Sequence, residues 1–396
     1  MNSRLDLLHP YPFQKLRALL GTAGTPPQDL APINMSIGEP RHAAPECVLS
    51  ALRDNLQGLS IYPATQGDVA LRQTIAQWLA RRYGIPAPDP DTQVLPVLGS
   101  REALFAFAQV VLDPASGGKV VCPNPFYQIY EGATLLAGGE PYYINADPAR
   151  NFGCDWQGVP EAVWRETKLV FVCSPGNPAG NVMSLQDWRQ LFELSERHGF
   201  TIASDECYAE IYLDEATPPL GALQAAHELG RDYARLMVFS SLSKRSNVPG
   251  LRSGFVAGDA ALIAPFLRYR TYHGSAMSAV VSAASIAAWS DEAHVRDNRR
   301  QYREKFDAVL PLLQPVMDVQ APQASFYLWA RVPGSDAEFA AGLYAATGVT
   351  ALPGSFLARE AGGVNPGQGR LRLALVAEPE QCRLAAERIA RYTAAL

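Results

Sequence analysis

The sequence predicts an α/β protein with a mainly parallel sheet, helices on both faces of that sheet, and a smaller α+β domain. Between about residues 46 and 285, short and almost continuously apolar runs alternate with segments of helical periodicity, which is typical of parallel strands buried on both faces. After about residue 286 the pattern changes to a long charged helix followed by mixed strands and helices. The 396 residues suggest about two to three domains. We expect an arm at 1–45 that joins the small domain, a large domain at 46–285 and a small domain at 286–396.

The elements of the large domain follow from local patterns. Asp68 is expected to cap a helix that buries Leu71, Ile75 and Trp78, and Gly84 is expected to end it. A second helix is predicted from Arg101 to Leu112. The predicted strands are Val94–Leu98, Lys119–Cys122, Lys168–Cys173, Phe200–Ser204, Leu236–Phe239 and Phe255–Ala257. The uncharged stretch 274–290 is rich in serine and alanine, so it predicts a packed helix rather than a membrane span.

The small domain is predicted from a second set of patterns. Its predicted elements are a charged helix at Asp291–Leu310, a strand at Phe326–Val332, a helix from Asp336, a strand at Arg370–Leu375 and a helix from Pro379.

Composition and charge exclude several classes of protein. Hydrophobic residues make up 48% and charged residues 18%, so the chain is too apolar to be disordered. The net charge of −5 is spread along the chain, which argues against a nucleic-acid partner. Residues 1–20 have no apolar core of a signal peptide, and the six cysteines form no CxxC pair. We therefore expect a cytoplasmic protein with reduced, buried thiols, no metal site and no membrane contact.

The strongest chemical signal is the segment from Ser241 to Gly254, which directly follows a predicted strand. Lys244 stands in it among hydroxyls and glycines, a setting in which an amine can be partly desolvated and nucleophilic. A solvated loop lysine is the alternative interpretation.

Three further segments follow predicted strands. Asp205 stands where open α/β sheets place their ligands, although it could instead cap a helix. Gly99, Ser100 and Arg101 lie between strand and helix, where backbone N–H groups can bind a phosphate. The run 174–180 contains Asn177 and is, in its simplest interpretation, a Pro/Gly turn.

Taken together and in this order, these residues resemble the class I/II aminotransferases of pyridoxal-phosphate fold type I, over essentially the whole chain. The resemblance implies a seven-stranded-type sheet in the large domain. The matching positions are Asn177, Pro178, Gly180, Asp205, Tyr208, Ser241, Lys244 and Arg252. A closer similarity is to the succinyldiaminopimelate aminotransferases of bacterial lysine synthesis, which rests on 11–13, 123–132 and 269–278.

The resemblance implies roles for five residues around the cofactor ring of pyridoxal 5'-phosphate. Lys244 is expected to bind the cofactor covalently and to carry the proton, and burial must lower its pKa for that task. Asp205 is expected to pair with the ring nitrogen. Tyr208 and Asn177 would hydrogen-bond the phenolate oxygen, and Tyr127 would stack on the ring.

The resemblance also implies a phosphate site. The backbone of Ser100 and Arg101, the hydroxyl of Ser241 and the guanidinium of Arg252 are the matching positions. Arg101 stands where a small or lysine-like residue is common, so only its backbone role carries over. Tyr62 is expected to reach in from a second subunit, which implies a homodimer; the alternative is an ordinary surface tyrosine.

For the substrate, Arg372 matches the arginine that grips the α-carboxylate in a bidentate fork, and Gly38 lets the backbone approach the same group. An outward-facing arginine on an alternating strand is the alternative for Arg372. The expected substrates are glutamate or 2-oxoglutarate and N-succinyl-2-amino-6-oxopimelate, with 11–15 or Arg41 as candidates for the distal carboxylates. The alternatives are an aspartate, alanine or aromatic aminotransferase, a β-lyase of the same fold, and a non-catalytic module of a transcription regulator. The early start of the cofactor pattern and the presence of Lys244 argue against the regulator.

Overall fold

A computed structural model describes all residues, 1–396, and confirms the α/β architecture. The strands are β1 Ile33–Asn34, β2 Val94–Val97, β3 Lys119–Asn124, β4 Glu140–Asn145, β5 Thr167–Cys173, β6 Thr201–Asp205, β7 Leu236–Ser241, β8 Gly254–Gly258, β9 Tyr327–Arg331, β10 Val349–Thr350, β11 Leu352–Pro353 and β12 Arg370–Ala374. The main sheet has seven strands in the order β2-β8-β7-β6-β5-β3-β4. Only β8 runs antiparallel to its neighbours, so the carboxyl ends of the other six strands lie at one edge.

Fourteen α-helices surround the sheets. They are α1 Pro12–Thr22, α2 Glu46–Asp54, α3 Val69–Tyr83, α4 Ser100–Val111, α5 Ile129–Leu136, α6 Glu161–Glu166, α7 Leu185–His198, α8 Ala222–Glu228, α9 Leu242–Arg245, α10 Ala260–His273, α11 Ala279–Ser290, α12 Ala293–Leu313, α13 Asp336–Thr347 and α14 Pro379–Ala394. The Asp68 carboxylate accepts the N–H groups of Ala70 and Leu71, and Gly84 ends α3 with φ of 62°. Both predicted ends of this helix are therefore confirmed.

Two hydrophobic clusters cover the two faces of the main sheet, and a third lies in the C-terminal part. One cluster runs from Val48 to Trp289, and another packs α4 and α5 against the opposite face of the strands. The third joins α12, α13 and α14 to the antiparallel sheet β11-β12-β9 and takes in Ile33 and Met35 from the arm. Because β1 also pairs with β10, these contacts support the division at 1–45, 46–285 and 286–396, which we keep as a proposal.

Several predicted elements need correction. The strand β4 was not predicted: it lies at the sheet edge, contains Pro141, and most of its side chains are only partly buried, so it lacks the apolar run of a central strand. The helix expected over 274–290 begins only at Ala279, after the N-cap Ser278. The charged helix begins at Ala293 and continues to Leu313, and Pro311 does not end it at Leu310.

No helix of the protein combines the length and the apolar character that crossing a membrane requires. The six cysteines carry no disulfide, and Cys122 and Cys382 are buried, in agreement with the expected free thiols.

Candidate active site

A cavity of about 540 Å³ opens at the carboxyl edge of the main sheet. It is called the central cavity below. Eleven of the predicted site residues line it: Gly38, Ser100, Arg101, Tyr127, Asn177, Asp205, Tyr208, Ser241, Lys244, Arg252 and Arg372. Tyr62 does not; its side chain is fully exposed at 101% in the single chain. The central cavity therefore brings together residues that lie more than 300 positions apart in the sequence, from Gly38 in the arm to Arg372 on β12.

Lys244 lies on α9, the single helical turn that follows β7. Burial lowers the pKa of its amine to about 8, and the amine donates a hydrogen bond to the carbonyl oxygen of Gly38. The interpretation as a solvated loop lysine is wrong. An amine with this pKa is partly neutral near neutral pH, so it can accept a proton or attack a carbonyl carbon.

Asp205 is the last residue of β6 and is almost fully buried. Its carboxylate accepts hydrogen bonds from the Tyr130 hydroxyl at 2.8 Å and from the Cys207 N–H at 3.3 Å. No helix starts at Asp205, so the helix-cap alternative is wrong. Burial raises the pKa of the Asp205 carboxyl. A cation placed beside it would counter this effect, because an adjacent positive charge favours the ionised carboxylate.

The opposite end of the central cavity is an anion cradle. Ser100 and Arg101 are the first residues of α4, where backbone N–H groups are free to bind an anion. Gly99 has φ of +82°, and a Cβ there would collide with the guanidinium of Arg252. The Arg252 guanidinium lies 3.4 Å from the Leu98 carbonyl oxygen, next to this helix end.

Two hydroxyl groups complete the cradle. Ser241 and Ser243 hydroxyls lie 2.9 Å apart, and Arg252 is 3.4 Å from the Ser243 hydroxyl. Positive charge, hydroxyls and a helix N-terminus at one place fit a phosphate group.

Arg372 is buried, with 3% of its surface exposed. Its guanidinium donates to the Asn177 side-chain oxygen at 2.9 Å and to the Ser36 carbonyl oxygen at 2.8 Å, and it lies 4.3 Å from the centre of the Tyr327 ring. The outward-facing interpretation of Arg372 is therefore wrong. Its buried Nε has no hydrogen-bond partner, so the fork has capacity left for a carboxylate.

The remaining predicted side chains lie around these groups. The Tyr208 hydroxyl is 3.1 Å from the Tyr327 hydroxyl. The Tyr127 hydroxyl accepts a hydrogen bond from Nε of Arg101 at 2.6 Å. Arg101 is exposed at the mouth of the cavity, so its guanidinium remains available to a ligand.

Several lining residues were not predicted. Ser243 lies inside the Ser241–Gly254 motif and could have been read from it, whereas nothing in the local pattern marks Tyr327 or Glu39. A Cβ at Gly38 would overlap the Tyr327 hydroxyl, so the backbone there packs closely against a side chain of β9. The approach of Gly38 to the substrate carboxylate stays a prediction. Of the candidates for distal carboxylates, 11–13 line the cavity, and Lys15 and Arg41 do not.

Comparison with known proteins gives one family over most of the chain. Residues 31–389 match the family model described as aminotransferase class I and II. The chain is 32% identical to the LL-diaminopimelate aminotransferase of Nitratidesulfovibrio vulgaris strain Miyazaki F over 397 residues, covering 98% of this chain and 97% of the relative.

Solved structures agree with this match. An aminotransferase of Neisseria meningitidis has 54% sequence identity, a TM-score of 0.96 and 99% coverage of both chains. A probable N-succinyldiaminopimelate aminotransferase of Thermus thermophilus has 26% identity and a TM-score of 0.85, covering 96% of this chain and 100% of that chain.

Proposed function

Because the chain belongs to the class I and II aminotransferases, which use pyridoxal 5'-phosphate, we propose that it transfers amino groups to and from a substrate with the diaminopimelate skeleton. The observation that carries the proposed transfer of amino groups is that the Lys244 amine, the buried Asp205 carboxylate and the buried Arg372 guanidinium line the same cavity. A non-catalytic module would have no need of an amine with a lowered pKa at this place.

The residues of the central cavity fit the cofactor. Asp205 is a buried carboxylate with no cationic partner within ion-pair distance, which suits a protonated ring nitrogen. The anion cradle of Ser100, Arg101, Ser241 and Arg252 suits the phosphate, and Tyr127 suits the ring face. Tyr208 and Asn177 are proposed to bind the phenolate oxygen.

When bound, the cofactor acts as an electron sink for the electrons released at the substrate Cα. We assign the proton transfer to Lys244, whose Nζ would carry the proton between the substrate Cα and the bound cofactor. Arg372 holds the substrate α-carboxylate, and Asn177, already hydrogen-bonded to Arg372, fixes the orientation of that fork.

For the finer substrate, we propose N-succinyl-LL-2,6-diaminopimelate with 2-oxoglutarate as amino acceptor. The segments 11–13, 123–132 and 269–278 and the likeness to the Thermus thermophilus protein support it. The distal part of this substrate carries carboxylates but no free amine. The guanidinium of Arg101 is exposed in the cavity, and we assign it neither to the phosphate nor to the α-carboxylate. It is therefore the cation that can pair with a distal carboxylate.

A second candidate is free LL-diaminopimelate. The relatives from Nitratidesulfovibrio and Dehalococcoides, 30–32% identical, bear the name of that activity. The exposed carboxylate of Glu39, which lines the same cavity, could pair with the distal ammonium group that only the free substrate has.

A donor and acceptor screen tests both candidates. The purified holoenzyme is assayed with succinylated and free LL-diaminopimelate against 2-oxoglutarate, and with aspartate, alanine and phenylalanine as competing donors. Arg101→Gln should raise KM for the succinylated substrate, while Glu39→Gln should raise KM for the free one only. Turnover of aspartate or an aromatic amino acid in preference to both would overturn the substrate proposal, and elimination in place of transfer would indicate a β-lyase.

We also propose a homodimer. Leu56, Leu59, Ile61 and Tyr62 form a short run of exposed apolar side chains, from 55% to 101% exposed. A second copy covering this run would remove it from water and would carry Tyr62 toward the partner's anion cradle, as the resemblance implies.

A further inference from the structure

A buried lysine of the C-terminal part has no acidic partner. Lys305 lies on α12 with 0% of its surface exposed. Its amine forms no ion pair, and the titratable groups that act on it are Cys382 and Glu378. The amine donates to Nε2 of His42 at 2.5 Å and to the Val376 carbonyl oxygen at 3.4 Å, and it lies 4.9 Å from the centre of the Tyr302 ring. Burying a cation without an ion-pair partner costs free energy of folding. The hydrogen bonds that hold Lys305 in this position therefore point to a role for it.

The donors and acceptors around Lys305 allow one direction of hydrogen bonding. An ammonium only donates, so Nε2 of His42 must accept, and the His42 proton then lies on Nδ1. Nδ1 donates to Oδ1 of Asn298 at 2.7 Å. The Asn298 amide donates in turn to the backbone carbonyl oxygens of Lys244 and Arg245, both at 3.3 Å. The chain of hydrogen bonds thus ends on the backbone of the lysine in the central cavity.

The same stretch of the arm reaches Lys244 from its other end. Within residues 36–42, the Ser36 carbonyl oxygen accepts from Arg372 at 2.8 Å, and the Gly38 carbonyl oxygen accepts from the Lys244 amine. His42 closes the stretch and is 8% exposed. The arm therefore contacts Lys244 directly at the amine and, through Asn298, at the backbone.

We propose that Lys305, His42 and Asn298 are positioning residues that lock the backbone of Lys244 at a fixed distance from the Gly38 carbonyl, so that the amine stays inside the cavity. This inference rests on the proposed role of Lys244. The charged and titratable groups that act on the amine include Cys207, Arg372, Glu39, Arg101 and Asp205. None of these five belongs to the chain of hydrogen bonds.

The test measures the Lys244 amine in the protein without cofactor. Lysines are acylated with an amine-reactive reagent over a pH series, and the Lys244 peptide is quantified by mass spectrometry. Wild type should show a midpoint near the pKa of about 8. Asn298→Ala should move the midpoint upward, toward an ordinary lysine, because the released amine reaches solvent. In the holoenzyme the same variant should lower kcat by about ten- to a hundred-fold with little change in KM.

Two variants of His42 separate hydrogen bonding from packing. His42→Gln keeps one acceptor and one donor and should retain the wild-type midpoint. His42→Phe keeps a ring and should behave like Asn298→Ala. Equal midpoints for the two variants would overturn the proposal.

Arg388→Met is the matched control. Arg388 is also a buried cation, 6% exposed, that ties the arm to the C-terminal part through the carbonyl oxygens of Ala31 and Thr347, but it does not contact Lys244. Its variant should leave the midpoint unchanged; a shift equal to that of Asn298→Ala would show a general packing effect and refute the proposal. Since the labelling needs neither cofactor nor substrate, a wrong substrate assignment leaves its outcome unaffected.

Discussion

The Lys244 amine combines a lowered pKa with access to the central cavity, and this combination sets a test of covalent attachment. Borohydride reduction of the purified holoenzyme should fix the cofactor to the peptide that contains Lys244. Lys244→Ala should bind cofactor only non-covalently and lose turnover by more than the roughly 10²–10⁴-fold of acid–base catalysis alone. Lys305, whose pKa burial also lowers to about 8, is the internal control and should remain unmodified. Label on any lysine other than Lys244 would contradict the assignment.

The planar fork of Arg372 predicts a shared effect on two substrates. Arg372→Lys keeps the charge but loses the second parallel hydrogen bond, which should cost roughly 1.5–3 kcal/mol, or about ten- to a hundred-fold in kcat/KM. Because both substrates present an α-carboxylate, steady-state kinetics should show this loss in both half-reactions. Arg370→Lys on the same strand, whose guanidinium lies 4.7 Å from the centre of the Phe152 ring, is the control. An effect confined to one half-reaction would refute the shared clamp.

Local patterns could predict only part of the site. Asp205 ends strand β6, and Asn177 and Lys244 lie within four residues of the ends of β5 and β7, so the parallel sheet alone brings them to one edge. Tyr327, His42 and Ser36 come from segments that reach the site through long-range packing, and no short motif marks such contacts.

At the scale of elements, a buried carboxylate caps a helix beside the site. Glu206 accepts the N–H of Ala222 at the start of α8 at 2.7 Å and the hydroxyl of Tyr83 at 3.1 Å. Burial raises the pKa of its carboxyl from 4.5 to about 7. The folded state thus binds this proton more tightly than the unfolded chain, so its contribution to stability decreases as the pH rises from about 4.5 to about 7.

Glu206→Gln should remove this pH dependence because the amide does not ionise. Between about pH 5 and about pH 8, the free energy of unfolding of wild type should fall by up to about 3 kcal/mol more than that of Glu206→Gln. Denaturant unfolding at each pH measures this difference. Glu228→Gln, an exposed position on the same helix, should follow the wild-type profile. Parallel profiles for Glu206→Gln and wild type would show that the proton of Glu206 does not contribute.

The elements themselves were predictable where burial was complete. The central strands β5, β6 and β7 are buried almost throughout, and their apolar runs mark them. The half-exposed edge strand β4 and the antiparallel direction of β8 were not predictable, because edge position and strand direction depend on which neighbour a strand pairs with.

At the scale of the whole molecule, the fully exposed Tyr62 predicts composite sites in a dimer. If Tyr62 serves the partner's cradle, mixed dimers of Lys244→Ala and Tyr62→Ala chains contain one site free of both substitutions. After unfolding and refolding of an equal mixture, activity should return to about a quarter of the wild-type value, since about half of the dimers are mixed and each has one intact site.

The control for this experiment pairs Lys244→Ala with Arg252→Ala. Both residues belong to the same chain's cavity, so every site of the mixed dimer keeps one substitution and no activity should return. Recovery in the control, or a fully active species with the mass of one chain in light scattering, would contradict the composite site.

The antiparallel direction of β8 has a consequence for how the protein can vary. The chain leaves the sheet at Ser241 and returns beside it at Gly254, so Lys244, which we assign to the covalent attachment of the cofactor, and Arg252, which we assign to its phosphate, lie on a single connection. The length of that connection therefore has to match the distance between the two groups of the cofactor that Lys244 and Arg252 bind. Insertions or deletions within 245–251 would change the spacing of both anchors at once, whereas the exposed Gly362 and Gly363 mark a tip where length can change freely. We therefore expect related proteins to differ in length in the outer loops, while the number of residues between Ser241 and Gly254 stays constant.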